Sequence, residues 1–170
     1  MFRSLAFRAA LFIVIAPGSL AGWLPWYISG WQRPRLDTTL GVVGFSVAVF
    51  GWLVLLWCER EFAVRGRGTP NPSDPPRALV VDGLYRFVRN PMYVAIITSL
   101  FGQAAMYRST DVVWYTAILA MGFHLRVVFY EEPKLTELFG GTYADYRARV
   151  PRWLPLPIHL PLIALRARRR

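Results

Sequence analysis

Cysteine and charged side chains are scarce in this chain of 170 residues. The single cysteine, Cys58, excludes an internal disulfide and a cysteine-based metal site, and we expect no metal centre. Only 18% of the residues are charged, against about 25% in typical soluble domains, whereas 55% are hydrophobic and 15% are aromatic. A composition this apolar excludes an ordinary soluble fold. It predicts a single all-α integral membrane domain over residues 1–170.

Four apolar segments come close to the length of about 20 residues with which a helix crosses a bilayer. We therefore expect about four transmembrane helices, followed by short cytoplasmic helices near the C-terminus. The segments lie at about residues 9–28, 38–58, 91–107 and 112–130. The domain then divides into an N-terminal helix pair (1–60), a cytoplasmic linker rich in turn formers (61–81), a half with most of the polar motifs (82–155), and a basic tail (156–170).

The first apolar segment also fits a secretory signal peptide. Basic residues precede an apolar stretch at 9–16, and Ser19-Leu20-Ala21 resembles a small-residue cleavage site. Apolar residues continue from Trp23 to Ile28, beyond that site. This continuation favours a retained transmembrane helix.

The formal net charge of +10 is concentrated on one side of the predicted membrane domain. With four crossings, that side receives two arginines before residue 9, six between 60 and 89, and eight basic residues from 134 onward, whereas the other side receives three. Basic loops face the cytoplasm in membrane proteins, so we expect both termini and the 59–90 loop to be cytoplasmic. These loops would contact the anionic headgroups of the lipid bilayer, and we expect no nucleic-acid binding.

The first polar motif is Gly-Leu-Tyr-Arg-Phe-Val-Arg-Asn-Pro-Met-Tyr at 83–93. Asparagine is a favoured N-cap and proline suits the first helical position, so we expect a helix to begin at Pro91 with Asn90 as its cap. Arg89 directly precedes that helix start, where free N–H groups and the helix dipole already attract an anion. This arrangement is typical of a clamp for a carboxylate or phosphate. The alternative is that Arg86 and Arg89 extend to lipid headgroups.

The second polar motif lies at the end of the last apolar segment. His124 and Glu131 are separated by about 700° at 100° per residue, which places them within about 20° on one helix face. Glu132 lies about 100° further round, where it would cap the following helix. We therefore expect Glu131 to be the buried carboxylate of the pair. A lone histidine in an apolar helix is more often a hydrogen-bonded core residue than a catalyst.

An aromatic segment follows the two glutamates. Pro133 favours the start of a short helix that ends near Gly140, and residues 142–145 resemble a capping box that opens another helix. That second helix carries Tyr143 and Tyr146. We expect the two helices to form an ordered cytoplasmic cap over the glutamate pair.

Taken in order, these motifs resemble those of a known group of membrane enzymes. The motif at 83–93, then His124, then Glu-Glu-x-x-Leu-x-x-x-Phe-Gly-x-x-Tyr-x-x-Tyr at 131–146 and Val-Pro-Arg-Trp at 150–153, is similar to the isoprenylcysteine carboxyl methyltransferase and phospholipid methyltransferase superfamily. The resemblance covers roughly residues 82–155. It implies a helical membrane methyltransferase in which this half of the chain encloses S-adenosylmethionine.

The resemblance also implies which residues form the site. S-adenosylmethionine presents a carboxylate, an ammonium, a sulfonium and an adenine, and the two motifs offer an arginine, two carboxylates, a histidine and several aromatic rings. The expected catalytic residues are Arg89, His124, Glu131 and Glu132. The expected cofactor-binding residues are Tyr85, Arg89, Asn90, Pro91, Tyr93, His124, Glu131, Tyr143, Tyr146 and Arg152.

The implied methyl acceptor is membrane-embedded and lipid-like or of the prenyl type. A carboxylate acceptor would need no general base, whereas an amine would need one. The sequence leaves the acceptor's identity and the oligomeric state open. Two other classes compete: an NADPH-dependent membrane sterol or enone reductase, which typically carries Arg-His-Pro-Asn-Tyr where this chain has Arg-Asn-Pro-Met-Tyr, and a non-catalytic membrane scaffold.

Overall fold

The computed structural model describes residues 15, 17–61 and 78–155, and the regular structure within these ranges is entirely helical. A π-helical turn (Ser19–Trp23) leads into α1 (Leu24–Ile28), and α2 (Thr39–Glu61) follows. After a 3₁₀ turn (Gly83–Arg86) come α3 (Pro91–Tyr107) and α4 (Thr110–Arg126). A second π-helical turn (Val127–Glu131) joins α4 to α5 (Glu132–Arg149). Most of the expected linker, the basic tail and the start of the first apolar segment lie outside the described residues.

Two glycines allow α2 to pack closely against α3. A Cβ atom built on Gly44 or Gly51 would lie 2.6 Å from the nearest backbone atom of α3, which belongs to Gly102 and Ser99 respectively. Only a residue without a side chain permits this approach, and small residues play the same part where helices associate in membranes. The two helices are antiparallel, so the end of α2 lies near the beginning of α3.

A tight connection makes α3 and α4 antiparallel as well. Arg108 adopts a left-handed conformation (φ 53°) at the end of α3, and the Ser109 hydroxyl accepts a hydrogen bond from Val112 N at 3.3 Å, which caps α4. The beginning of α3 and the end of α4 therefore lie at the same end of the bundle. This arrangement brings the two polar motifs together.

The first π-helical turn is attached to the bundle through its carbonyl groups. Tyr115 donates its hydroxyl to Leu20 O at 2.8 Å, and Gln103 donates Nε2 to Ala21 O at 2.6 Å. Carbonyls that an α-helix would use internally thus bind side chains of α3 and α4.

Two helices are long and apolar enough to cross a membrane, judged by length and composition. They are α2 and the continuous helix Thr110–Arg149, with mean hydropathies of 2.2 and 1.6 over their most apolar 18 residues. Only 28% and 22% of those stretches are buried in the protein. Helix α3 has 17 residues, fewer than the about 20 of a typical span. Two of the four expected spans therefore meet this criterion within the described residues.

Candidate active site

Residues at the beginning of α3 form hydrogen bonds with the segment that follows α5. Helix α3 begins at Pro91 as predicted, but the expected Asn90 side-chain cap is wrong. The Asn90 amide instead donates Nδ2 to Arg152 O at 3.1 Å, and Arg89 N donates to Pro151 O at 2.9 Å. These two hydrogen bonds hold the backbone carbonyls of Pro151 and Arg152, so Arg152 lies beside the beginning of α3.

Four side chains meet at this point, and we call them the arginine cluster: Arg89, Glu132, Tyr143 and Arg152. Arg89 Nη1 donates to Glu132 Oε1 at 3.0 Å and to the Tyr143 hydroxyl at 3.2 Å. Arg152 donates Nε to Glu132 Oε1 at 2.6 Å and Nη2 to Oε2 at 3.0 Å. The side chains of Arg89 and Glu132 are each only 9% exposed. Residues from three separate parts of the motifs therefore form one hydrogen-bonded group.

The arginine cluster has an excess of one positive charge, because two guanidinium groups share a single carboxylate. The hydrogen bond to Glu132 raises the pKa of Arg152, so this side chain remains charged. Arg89 Nε is buried and has no hydrogen-bond partner. A buried unpaired donor costs about 1–3 kcal/mol. Both features fit an anion bound at Arg89.

A second group, which we call the tyrosine cluster, consists of Tyr93, Arg126 and Glu131. The Tyr93 hydroxyl donates to Glu131 Oε1, and Arg126 Nε donates to the same oxygen at 2.8 Å and to the Tyr93 hydroxyl at 3.2 Å. The Tyr93 ring stacks on Phe123 with centroids 4.3 Å apart. This cluster is more open than the arginine cluster, since the Glu131 side chain is 25% exposed.

His124 is bound by Trp153 and not by Glu131. Trp153 Nε1 donates to His124 Nδ1 at 3.2 Å, and the Trp153 ring lies 6.5 Å from that of Tyr93. A neutral imidazole that accepts at Nδ1 carries its proton on Nε2. His124 is therefore a hydrogen-bond donor towards any further partner, and its basic nitrogen is already engaged.

The expectation that Glu131 is the buried carboxylate of the pair is wrong. Glu132 N donates to Val127 O, a five-residue spacing that defines the π-helical turn before α5. This wider turn delays the helical phase by about one residue, or about 100°, relative to an α-helix. Glu132 consequently takes the buried position, and Glu131 turns towards Tyr93 and Arg126.

The aromatic segment breaks where the sequence predicts. Gly140 has non-helical torsion angles (φ 50°, ψ −125°) within α5, so the helix kinks and returns over the site. Tyr143 enters the arginine cluster, whereas Tyr146 donates its hydroxyl to Tyr85 O at 2.7 Å. The Tyr85 ring packs in a buried cluster with Cys58, and burial raises its pKa. Tyr85 thus contributes its carbonyl and its packing to this region.

An apolar groove of about 500 Å³ adjoins these clusters. It lies between α2 and α3, and residues 153–155 of the segment after α5 also line it. Trp153 lines the groove, donates to His124 and lies near the Tyr93 ring, so it adjoins both the groove and the tyrosine cluster. The groove is lined by Phe50, Gly51, Val54, Leu84, Phe87, Val88, Pro91, Val94, Ala95, Thr98, Trp153, Leu154 and Pro155.

Sequence reasoning gives no site role to Arg126 or Trp153, although both hold predicted site residues. A signal is present for each. Arg126 is an isolated charge in an apolar helix near Glu131, and Trp153 directly follows the matched Arg152. Within the described residues, no group of three or more His, Cys, Asp or Glu side chains is arranged to hold a metal ion.

Comparison with known families agrees with the motifs. A family model for phospholipid methyltransferases matches residues 39–142, which is more than half of the chain. The chain belongs to this family. The membership confirms the superfamily that the motifs resemble. The matched range contains Arg89, His124 and both glutamates, whereas Tyr143 and Arg152 lie just beyond it.

Curated relatives include methyltransferases and a protein named for metal resistance. The chain is 34% identical over 128 residues to the cobalt-zinc-cadmium resistance protein CzcN of Cupriavidus metallidurans, covering 74% of this chain and 51% of that protein. It is 35% identical over 79 residues to the protein-S-isoprenylcysteine O-methyltransferase of Schizosaccharomyces pombe (46% and 33% covered). It is 28% identical over 145 residues to the enzyme of the same name from Homo sapiens (81% and 49% covered). The chain spans about half the length, or less, of these relatives.

Proposed function

We propose that this protein is a membrane-spanning methyltransferase that uses S-adenosylmethionine and methylates a lipid-like acceptor. Membership of the phospholipid methyltransferase family supports methyl transfer over NADPH-dependent reduction. The observation that carries the proposal is the arginine cluster, with its excess positive charge and the unpartnered, buried Nε of Arg89. The carboxylate of the cofactor would satisfy that donor and balance the charge.

Each member of the arginine cluster has a distinct part in holding the cofactor. The cofactor, when bound, supplies a methyl group activated by its sulfonium. Arg89 binds the carboxylate, and Glu132 keeps the guanidinium groups of Arg89 and Arg152 in fixed positions. Tyr143 and its neighbour Tyr146 form a buried aromatic pair with ring centroids 6.2 Å apart, and we assign this pair to the adenine side of the site. Transfer needs the nucleophile, the methyl carbon and the sulfur in line, so the main contribution of these residues is alignment.

Glu131 is the candidate proton acceptor for an acceptor that must lose a proton. His124 is less suited, because its Nδ1 already accepts from Trp153 Nε1. Glu131 is partly exposed and is held by Arg126 and Tyr93, which fix its orientation. A carboxylate acceptor would not require this step.

The acceptor's apolar part enters from the bilayer into the apolar groove. The groove is lined almost entirely by apolar side chains, and it meets the tyrosine cluster at Trp153. Helix α2, which forms one wall, is one of the two helices suited to crossing a membrane. The distribution of basic residues in the sequence supports a cofactor site on the cytoplasmic side. The acceptor and the cofactor therefore approach from different sides of Trp153.

The test is methyl transfer from isotopically labelled S-adenosylmethionine by the purified protein to a membrane lipid extract. Mass spectrometry of the lipids should show a labelled product, which identifies the acceptor. Titrations with S-adenosylhomocysteine and with NADPH accompany it. Binding of NADPH alone would support a reductase, and binding of neither ligand with no labelled lipid would support a scaffold.

A further inference from the structure

Both glutamates of the Glu131–Glu132 pair already accept hydrogen bonds. Glu131 accepts from Tyr93 and Arg126, and Glu132 accepts three hydrogen bonds from two arginines. Each carboxylate is therefore already paired with an arginine that balances its charge. A zwitterionic ligand, whose carboxylate Arg89 takes, therefore needs another carboxylate for its ammonium.

Glu59 in the last turns of α2 is such a carboxylate. Its residue exposure is 3%, and neither Oε1 nor Oε2 has a hydrogen-bond partner. The other buried acidic residues in the described part of the chain are Glu61 and Glu132, and both have partners. Among the described residues, Glu59 is thus a buried acid without a partner, whereas the other two buried acids are paired.

Helix geometry places Glu59 at the level of the first polar motif. The Cβ position of Gly51 is 2.7 Å from Ala95 O, which fixes the register between α2 and α3. Glu59 lies eight residues beyond Gly51, or about 12 Å along α2 at 1.5 Å per residue. Arg89 lies six residues before Ala95, and α3 runs in the opposite direction. Glu59 and Arg89 therefore stand at the same end of the helix pair.

Direct contacts confirm that this end of α2 adjoins the motif. A Cβ atom on Gly83 would lie 3.3 Å from Glu61 Oε2, so the 3₁₀ turn contacts the last residue of the helix. Cys58, the neighbour of Glu59, packs in one buried cluster with Tyr85. Glu59 therefore lies between two residues of α2, Cys58 and Glu61, that contact the turn leading into Arg89.

We propose that Glu59 binds an ammonium group of a bound ligand. An unpaired carboxylate in an apolar surrounding costs several kcal/mol, and a cation of matching size removes that cost. The inference rests on the proposed function, because Arg89 and Glu59 together then match the carboxylate and the ammonium of an amino acid moiety. The ammonium belongs either to the methionyl part of the cofactor or to an amine headgroup of the acceptor.

The test compares the wild-type protein with Glu59→Gln, which keeps the side-chain shape and removes the charge. Calorimetry uses S-adenosylhomocysteine, which has the ammonium and the carboxylate, and methylthioadenosine, which lacks both. Glu59→Gln should lower the affinity for S-adenosylhomocysteine at least about tenfold and leave the affinity for methylthioadenosine unchanged. The ligand-free variant should also melt at a higher temperature, because an unpaired buried charge is removed.

A second arm identifies the source of the ammonium. If S-adenosylhomocysteine binds Glu59→Gln normally, phosphatidylethanolamine in detergent micelles should bind this variant at least about tenfold more weakly than the wild type, which assigns the ammonium to the acceptor. Glu61→Gln is the matched control: its carboxylate lies 3.5 Å from Arg60 Nη1, so its loss should not raise the melting temperature.

Unchanged affinity of Glu59→Gln for both ammonium-bearing ligands overturns the inference. If the wild type binds S-adenosylhomocysteine in the same experiment, the proposed function stands even when the inference fails. If the wild type does not bind S-adenosylhomocysteine, the proposed function itself is contradicted. Glu59→Leu, an apolar residue suited to burial, provides a second variant. If both variants fail to fold, Glu59 has a structural role and the inference is wrong.

Discussion

Arg152 holds Glu132 with two parallel hydrogen bonds, Nε to Oε1 at 2.6 Å and Nη2 to Oε2 at 3.0 Å. This fork engages both carboxylate oxygens, so the carboxylate cannot rotate. Arg89 then binds Oε1 from another direction. The orientation of Arg89 thus depends on a residue 63 positions later in the chain.

Arg152→Lys should loosen the site although the charge is kept. An ammonium cannot form the fork, and loss of one charged hydrogen bond lowers the free energy of unfolding by about 1–2 kcal/mol. Thermal melting in detergent measures this change. Arg149→Lys is the control, because Arg149 is exposed and donates Nε to the Asp145 carbonyl, outside the arginine cluster. Equal melting temperatures for the two variants would contradict the importance of the fork.

Arg89→Ala should weaken cofactor binding by about 1.5–3 kcal/mol, the range for hydrogen bonds to charged groups. Arg89→Lys should restore only part of the affinity. Calorimetry with S-adenosylhomocysteine measures both. Arg86→Ala, in the same motif but outside the arginine cluster, should bind like the wild type. An unchanged affinity in folded Arg89→Ala would remove Arg89 from the site.

The two glutamates should respond differently to loss of charge. Glu132→Gln leaves two arginines without their counter-charge and should lower stability by up to about 3 kcal/mol, with weaker cofactor binding. Glu131→Gln should keep a near-normal melting temperature and lose turnover, because its carboxylate is more exposed and lies beside Tyr93. Melting curves and labelled-methyl turnover distinguish the two. Full activity in folded Glu131→Gln would exclude it as a proton acceptor.

Local signals in the sequence predicted the elements that depend on neighbouring residues. Pro91 begins α3 because proline suits a first helical turn, and Gly140 breaks α5 because it adopts a positive φ. The expected site residues Arg89, Glu132, Tyr143 and Arg152 do meet in one cluster. Their functional roles stay predictions.

Other features depend on contacts between distant segments, and the sequence did not reveal them. Asn90 has the side chain of a good cap, yet its amide binds Arg152 O, 62 residues away. The π-helical turn at Val127–Glu131 has no sequence signature, and it reversed the expected burial of the two glutamates. Glu59 lies in an apolar helix, and its burial without a hydrogen-bond partner became visible only once that helix was packed against its neighbours.

Filling the apolar groove should weaken binding of the acceptor and leave binding of the cofactor unchanged. Thr98→Trp places a large ring in the groove from its α3 wall. The KM for the lipid acceptor should rise several-fold, while the affinity for S-adenosylhomocysteine stays unchanged. Ile118→Trp, on a surface position that is 71% exposed, is the control. A normal KM in Thr98→Trp would place the acceptor elsewhere.

The distribution of basic residues predicts the topology. In a Cys58→Ser background, single cysteines within 66–76 and after Arg166 should be protected from impermeant thiol reagents in intact cells, whereas a cysteine at Arg108 should react. Permeabilised cells are the control: once the reagent enters, the positions protected in intact cells should be labelled. Labelling of the 66–76 positions from outside would also contradict cytoplasmic entry of the cofactor.

The π-helical turn before α5 holds one residue more than regular α-helical winding would hold between α4 and α5. Because this turn delays the helical phase by about one residue, removal of one residue from 127–130 together with a return to α-helical winding would leave Glu132 on the face that meets Arg89. Removal of one residue without that change in winding would rotate everything after it by about 100°, and Glu132, Tyr143 and Arg152 would be displaced from Arg89 together. The assembly of the site therefore depends on a match between the winding of this turn and its number of residues.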